Sequence, residues 1–174
     1  MRDVTFVLGG CRSGKSRHAL ALAAERMGAA NCFIATCLPY DEEMADRVRR
    51  HQAERGGSWQ TVDAPIELPA AIARQAPTAD VMVVDCLTLW MNNLIMDERT
   101  DEAVFDTVAQ LTAALDNVQC PVFMVSNEVG TGIVPENQLA RRFRDLTGFA
   151  NQRLAECADR VIWMVAGIPV GIKG

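Results

Sequence analysis

The chain has 174 residues, 49% of them hydrophobic, so it is long enough to bury a core as one domain spanning residues 1–174. It carries 17 Lys and Arg against 22 Asp and Glu, which gives a net charge of −5. Because neutralising a nucleic-acid backbone needs clustered cations, this balance disfavours a nonspecific nucleic-acid binder. It still permits one local basic pocket, and we expect no nucleic-acid partner.

Targeting and redox signals are weak. The N-terminal sequence lacks the apolar core and cleavage site of a signal peptide, and no apolar run reaches the ~18 residues that span a bilayer. The six cysteines form no C-x-x-C pair and there are two histidines, which disfavours a zinc site. We therefore predict a cytoplasmic protein without stable membrane insertion, with reduced and mostly buried thiols.

Short apolar runs alternate with helical patterns along the chain. The predicted elements, in order, are strand 4–8, helix 14–27, strand 31–36, helix 41–54, strand 59–62, helix 66–75, strand 80–86, a helix through 104–115, strand 121–127, a helix through 139–154, and two strands around Gly167 within 160–173. Strands that are apolar on both faces and separated by helices predict an α/β fold. Its sheet would be mostly parallel, of the P-loop NTPase type, with helices on both faces.

A glycine-rich segment between the first strand and the first helix fits G-x-x-x-x-G-K-[ST] at every fixed position. Glycine permits close approach of a phosphate to the backbone, and successive N–H groups can then bind its oxygens. Lys15 would neutralise the β and γ phosphates, and Ser16 would offer its hydroxyl to Mg²⁺. The predicted phosphate-binding residues are Gly9, Gly10, Cys11, Arg12, Ser13, Gly14, Lys15 and Ser16.

A second metal ligand is predicted at the end of the strand "VMVVD". A carboxylate there is ordinarily a turn or cap residue, but beside a phosphate loop Asp85 is the expected Walker B ligand of Mg²⁺. The guanine motif of switch GTPases is not matched, since Glu128 stands where that motif has lysine. A separate arginine-rich lid of the kind found in nucleoside-monophosphate kinases is not evident either. The residues alone thus indicate a nucleoside triphosphate site and leave its substrate open.

Five segments, in the same order, resemble the bifunctional adenosylcobinamide kinase / adenosylcobinamide-phosphate guanylyltransferase family. They are residues 9–19, 34–37, 41–65, 83–94 and 126–173, and the most specific is "NEVGTGIVPEN". The resemblance implies phosphorylation of adenosylcobinamide by ATP or GTP, and then transfer of GMP from GTP to adenosylcobinamide phosphate. It also implies a P-loop α/β fold, Mg²⁺, and a homo-oligomer, with a trimer as one known assembly.

The same resemblance implies site residues. In "RVRRHQAER" it makes His51 the catalytic residue that carries GMP. It also implies further nucleotide contacts at Ala35, Thr36, Cys37, Gln52, Ala53, Glu54, Arg55, Asp63 and Asp85. The sequence departs from the family at Cys11, where alanine is frequent, at Leu20, where glutamate is common, and at Asp63, where we expect glutamate.

His51 has an ordinary alternative reading. It shares a helical face with Met44 and Val48, so it could be a half-buried histidine without a catalytic role. Against this, a neutral imidazole is a nucleophile at neutral pH. His51 lies about ten residues into its predicted helix, roughly 15 Å from the helix start, so this segment has to lie back across the edge of the phosphate loop, break early or move.

Two other functions remain open from the residues. One is a P-loop kinase for a different small hydroxyl substrate, and the other is a nucleotide-gated regulatory module without chemistry. His18, one turn after Lys15, is predicted to be structural or to face the substrate. A solvated or interface face is predicted for three arginines of the last long helix, Arg141, Arg142 and Arg144.

Overall fold

A computed structural model of the protein describes residues 2–39, 42, 46, 49 and 57–174. Within them seven strands form one sheet: β1 Asp3–Gly9, β2 Asn31–Ala35, β3 Gln60–Asp63, β4 Val81–Asp85, β5 Pro121–Asn127, β6 Arg160–Val165 and β7 Ile168–Lys173. All seven predicted strands are thereby confirmed, including the pair around Gly167. The predicted helix 41–54 lies outside the described residues, apart from Glu42, Asp46 and Arg49.

The sheet order places the strand that precedes the glycine-rich loop near the middle. From edge to edge the order is β3-β2-β4-β5-β1-β6-β7, and every pair is parallel except β6 with β7. The mostly parallel α/β sheet predicted from the sequence is therefore confirmed. Parallel strands end at one edge, so the residues that follow β1 to β5 come together there.

Five helices are described in full: α1 Lys15–Ala24, α2 Leu68–Gln75, α3 Leu87–Met96, α4 Asp101–Asp116 and α5 Gln138–Cys157. Helix α1 ends at Ala24 rather than residue 27, because the Arg26 N–H donates to the Ala23 carbonyl in a tighter turn. Side chains of Thr100 and Asn137 accept hydrogen bonds from backbone N–H groups in the first turns of α4 and α5. In the described part of the chain, no helix is long and apolar enough to cross a membrane.

Two apolar layers cover the sheet. Alternate residues of the central strands point to opposite sides, as Phe6 and Val7 do. The larger layer packs α2 to α5 against one face, and the smaller one packs α1 through Ala19 and Ala23 against the other. Burial on both faces explains why the central strands are continuously apolar.

Helix α3 was not predicted. Seven of its ten residues are buried, so its apolar residues surround the axis and give no amphipathic period. Trp90 is fully buried, and its indole N–H donates to the Ile66 carbonyl at 2.9 Å. The Asn93 amide donates to the carbonyls of Thr36 and Pro65 at 2.8 and 3.0 Å. Both contacts fix the helix to the strand ends that frame the site.

The terminal hairpin of β6 and β7 presents one apolar face to solvent. We call it the hairpin face; its side chains are Trp163, Val165, Ile168, Val170 and Ile172, each at least 42% exposed. β7 is exposed along its whole length and forms an edge of the sheet. These exposed side chains form an apolar patch on the last two strands of the sheet.

Candidate phosphate and nucleotide site

The loop between β1 and α1 has the tight geometry that its glycines predict. A Cβ at Gly9 would lie 2.6 Å from the Met164 carbonyl oxygen and 2.7 Å from Ser13 Oγ, so a side chain does not fit there. Gly14 has φ of +93° at the N-cap of α1, a conformation that favours glycine. The loop is closed by hydrogen bonds from Ser13 N to the Gly10 carbonyl and from Gly167 N to the Ser13 carbonyl. Strand–loop–helix arrangements of this kind present backbone N–H donors to anions.

Lys15 and Ser16 begin the helix that follows the loop. The Lys15 side chain is enclosed, with the residue 7% exposed, and its Nζ donates to the Gly10 carbonyl at 2.6 Å. The ammonium is thus held against the glycine-rich loop. Ser16 is half-buried in the first turn of α1, where a hydroxyl can reach a metal ion at the phosphates. Cys11 and Arg12 are exposed at the outer side of the loop.

The ends of β2 and β4 are tied to each other. The Thr36 hydroxyl donates to the Cys86 carbonyl at 2.7 Å and accepts from the Cys86 N–H at 2.9 Å. Thr36 is fully buried, so its hydroxyl serves this internal contact and positions Asp85. Burial, reinforced by the nearby Asp85 charge, raises the pKa of the Cys86 thiol to about 11. That thiol therefore stays protonated at neutral pH and is not a nucleophile.

The remaining predicted residues spread along the same edge. Ala35 pairs with both Asp63 and Asp85, so the three strand ends are level. Asp63 is exposed at the end of β3, four strand positions from β1 and thus roughly 19 Å away at ~4.8 Å per strand. Cys37 is half-buried just beyond β2. Asp63 is therefore remote from the phosphate loop.

Several site residues lie where the structure gives no description. These are the predicted catalytic His51 and the predicted nucleotide contacts Gln52, Ala53, Glu54 and Arg55. Their predicted roles stay predictions. Among the described residues, no three His, Cys, Asp or Glu side chains gather to hold a metal ion.

A polar network at the end of β5 was not given a role by sequence reasoning. The Asn127 N–H donates to Thr88 Oγ1 at 2.6 Å, and the Asn127 carbonyl accepts from Asn151 Nδ2 at 3.1 Å. The Glu128 N–H donates to the Gly9 carbonyl at 3.1 Å, which joins this strand end directly to the phosphate loop. The available signal was "SNEVG", a run that begins in the last two residues of a buried strand and continues past its end.

Arg141, Arg142 and Arg144 lie in the first two turns of α5. Arg141 donates to the carbonyls of Pro135 and Glu136, and Arg142 forms a 2.7 Å ion pair with Asp101. All three are half-buried, and Arg144 Nη1 is buried. The predicted solvated or interface face is therefore partly enclosed within the chain, since Arg141 holds the loop before α5 and Arg142 joins α4 to α5. His18 is half-buried on α1.

Comparison with known proteins gives this site a family. The family model described as cobinamide kinase / cobinamide phosphate guanyltransferase matches residues 5–172. The chain belongs to that family. A relative from Pseudomonas aeruginosa, named bifunctional adenosylcobalamin biosynthesis protein CobP, is 41% identical, and the match covers 100% of this chain and 98% of the relative. Relatives named bifunctional adenosylcobalamin biosynthesis protein CobU are 41% identical in Salmonella typhimurium and 38% in Escherichia coli, each match covering 97% of this chain and 98% of the relative.

A solved structure supports the fold of this cobinamide kinase / guanyltransferase family member. It is flagellar accessory protein FlaH from Methanocaldococcus jannaschii, with a TM-score of 0.52 at 13% identity, covering 98% of this chain and 78% of that one. At this identity the likeness concerns the fold alone.

Proposed function

We propose that the chain is a bifunctional enzyme of cobalamin biosynthesis. It phosphorylates adenosylcobinamide with ATP or GTP, and then transfers GMP from GTP to adenosylcobinamide phosphate, giving adenosylcobinamide-GDP and pyrophosphate. The observation that carries this is full-length family membership together with a formed phosphate loop, in which Lys15 Nζ lies 2.6 Å from the Gly10 carbonyl. We take residues 1–174 as one catalytic domain.

Both reactions place a nucleoside triphosphate in the loop of residues 9–16. Backbone N–H groups of the loop and the start of α1 bind phosphate oxygens, and Lys15 offsets the charge that develops on the leaving group. In the kinase step that group is a nucleoside diphosphate, and in the guanylyl step it is pyrophosphate. One phosphate site therefore serves both reactions.

Ser16 and Asp85 fit the requirements of a Mg²⁺ site. A hydroxyl and a carboxylate supply the hard oxygen ligands that this ion prefers, and Mg²⁺ is commonly held by one or two side chains plus phosphates and water. Asp85 ends β4, two strand positions from β1 and thus roughly 10 Å from it at ~4.8 Å per strand. When bound, the ion would neutralise charge on the phosphates.

His51 is proposed as the nucleophile of the guanylyl step. An imidazole nitrogen forms a bond to the α-phosphorus, and the bond from that phosphorus to the α–β bridging oxygen breaks. An oxygen of adenosylcobinamide phosphate then attacks the same phosphorus and the P–N bond breaks, which frees the histidine. The nucleotide contacts proposed for Ala35–Cys37, Gln52–Arg55 and Asp63 would bind the same GTP, with Asp63 at the guanine.

The hairpin face supports a homo-oligomer, with a trimer as one form that the resemblance implies. Side chains such as Ile168 and Ile172, which are 65% and 60% exposed, would be buried against a second copy. We also propose that the protein acts in the cytoplasm, where free thiols such as those of Cys32 and Cys120 stay reduced.

Product analysis tests the proposed function. The purified protein, adenosylcobinamide, GTP and Mg²⁺ should yield first adenosylcobinamide phosphate and then adenosylcobinamide-GDP, resolved by chromatography and mass. A kinase for another small hydroxyl substrate would leave adenosylcobinamide unchanged while hydrolysing or transferring phosphate elsewhere. A regulatory module would bind GTP and form neither product. Either of these last two results would refute the proposal.

A further inference from the structure

The two proposed reactions make different demands on the acceptor. In the kinase step the acceptor is a hydroxyl, whose proton has to leave as its oxygen bonds to the γ-phosphorus. In the guanylyl step the acceptor is a phosphate oxygen that is already anionic. A positioned general base is therefore required by the first reaction and not by the second.

Three described carboxylates end or directly follow strands at the site edge: Asp63, Asp85 and Glu128. By strand order, β3 is four positions from β1 and β4 is two, or roughly 19 and 10 Å at ~4.8 Å per strand. Glu128 follows β5, which is the neighbour of β1, and its N–H donates to the Gly9 carbonyl at 3.1 Å. It is the one of the three that is hydrogen-bonded to the first glycine of the loop.

The backbone around Glu128 is firmly held. Thr88 and Asn151, which are 7% and 5% exposed, bond both polar groups of the preceding Asn127. The Glu128 Oε1 atom accepts the Gly130 N–H at 2.7 Å, which holds the carboxylate over its own loop and leaves Oε2 for a second partner. Lys15 Nζ donates to the carbonyl of Gly10, which follows the Gly9 carbonyl that accepts from the Glu128 N–H. The backbone of Glu128 is thus fixed against the first glycine of the loop, and its carboxylate is held close to that backbone by the Gly130 N–H.

We propose that Glu128 is the general base of the kinase step, an inference that rests on the proposed function. Its carboxylate takes the proton of the acceptor hydroxyl while that oxygen forms a bond to the γ-phosphorus. The bond between this phosphorus and the β–γ bridging oxygen breaks, and the electron pair leaves with the nucleoside diphosphate beside Lys15. Glu128 releases its proton to water after the products depart.

The variant Glu128→Gln isolates the basicity of the side chain. Glutamine keeps an Oε1 acceptor for the Gly130 N–H, so the loop is preserved while the base is removed. We expect kcat for phosphorylation to fall by about 10²–10⁴-fold, the usual contribution of a general base. Guanylylation of the protein, and transfer to supplied adenosylcobinamide phosphate, should stay within about threefold of wild type.

Glu136→Gln is the matched control, because Glu136 is exposed at the other end of the same loop and uses its backbone carbonyl for Arg141. It should change neither activity. If Glu128→Gln does not fold, Glu128→Asp, which keeps the carboxylate but withdraws it by one methylene, should show a smaller loss that is still confined to phosphorylation.

Two results would overturn the inference. One is Glu128→Gln phosphorylating adenosylcobinamide within about fivefold of wild type. The other is a folded variant losing both activities together, since Glu128 would then shape the shared phosphate loop instead of acting on the acceptor. If wild type itself forms neither product, the proposed function fails, a result that does not depend on the variant.

Discussion

The first glycine of the phosphate loop offers a steric test of the structure. In Gly9→Ala the new methyl group would lie 2.6 Å from the Met164 carbonyl oxygen and 2.7 Å from Ser13 Oγ. The first contact is with backbone, which cannot rotate away, so β1, β6 or the loop has to shift. Overpacking of this kind costs about 1–3 kcal/mol in the free energy of unfolding.

Gly10→Ala is the control, because a Cβ at Gly10 meets nothing within 4 Å. At roughly 2–4 °C per kcal/mol for a chain of this size, Gly9→Ala should lower the melting temperature by about 2–12 °C. Gly10→Ala should stay within about 2 °C of wild type, measured by thermal unfolding without nucleotide.

The affinity for GTP should also fall more in Gly9→Ala than in Gly10→Ala. Because Ser13 sits in the loop, its displacement should weaken GTP binding in Gly9→Ala, as measured by calorimetry. Equal stability and equal GTP affinity of Gly9→Ala and wild type would refute the close contact between the loop and β6 on which the site description depends.

Three further predictions concern single side chains. Lys15→Ala should reduce both phosphorylation and guanylyl transfer in steady-state assays, because one ammonium serves both leaving groups; a folded variant that loses one activity alone would contradict a shared phosphate site. Alkylation of Cys11, which is exposed in the loop, should be slowed by bound GTP in a mass-spectrometric time course, and equal labelling with and without GTP would place the thiol away from the nucleotide. The hydrogen bond from the Val4 N–H lowers the pKa of Asp159, so this carboxylate stabilises the fold above its ordinary pKa. Asp159→Ala should cost about 1 kcal/mol in urea unfolding at pH 7, a difference that shrinks as the pH falls below about 4, and a pH-independent cost would contradict this linkage.

The fold was largely predictable because its strands are buried on both faces. A continuous apolar run such as residues 121–127 indicates a central strand without knowledge of the helices that cover it. In the structure β5 begins and ends at the predicted residues, Pro121 and Asn127. Helix α3 was not predicted, because a helix buried on nearly all sides lacks the amphipathic periodicity by which helices are identified in a sequence. The same burial makes it a fixed support for the site.

The conformation of the candidate site was predictable where a single local motif sets it. The loop of residues 9–16 folds from local sequence, so its spacing was sufficient. Contacts between residues far apart in sequence were not predictable. The Thr88 hydroxyl accepts the Asn127 N–H only because α3 packs beside β5 in the folded chain. The internal role of Thr36 was likewise not predictable, since its hydroxyl bonds the backbone of Cys86, fifty residues further along the chain.

Identification of the guanylylated residue tests the central claim most directly. The protein should be incubated with GTP labelled at the α- or the γ-phosphate, and the labelled peptide should be sequenced by mass spectrometry. We expect label from α-labelled GTP alone, on His51, in an acid-labile and alkali-stable bond, as a phosphoramidate requires. His51→Ala should phosphorylate adenosylcobinamide and form no protein-bound GMP. A guanylylated His51→Ala protein, or an adduct mapped to His18, would contradict the account.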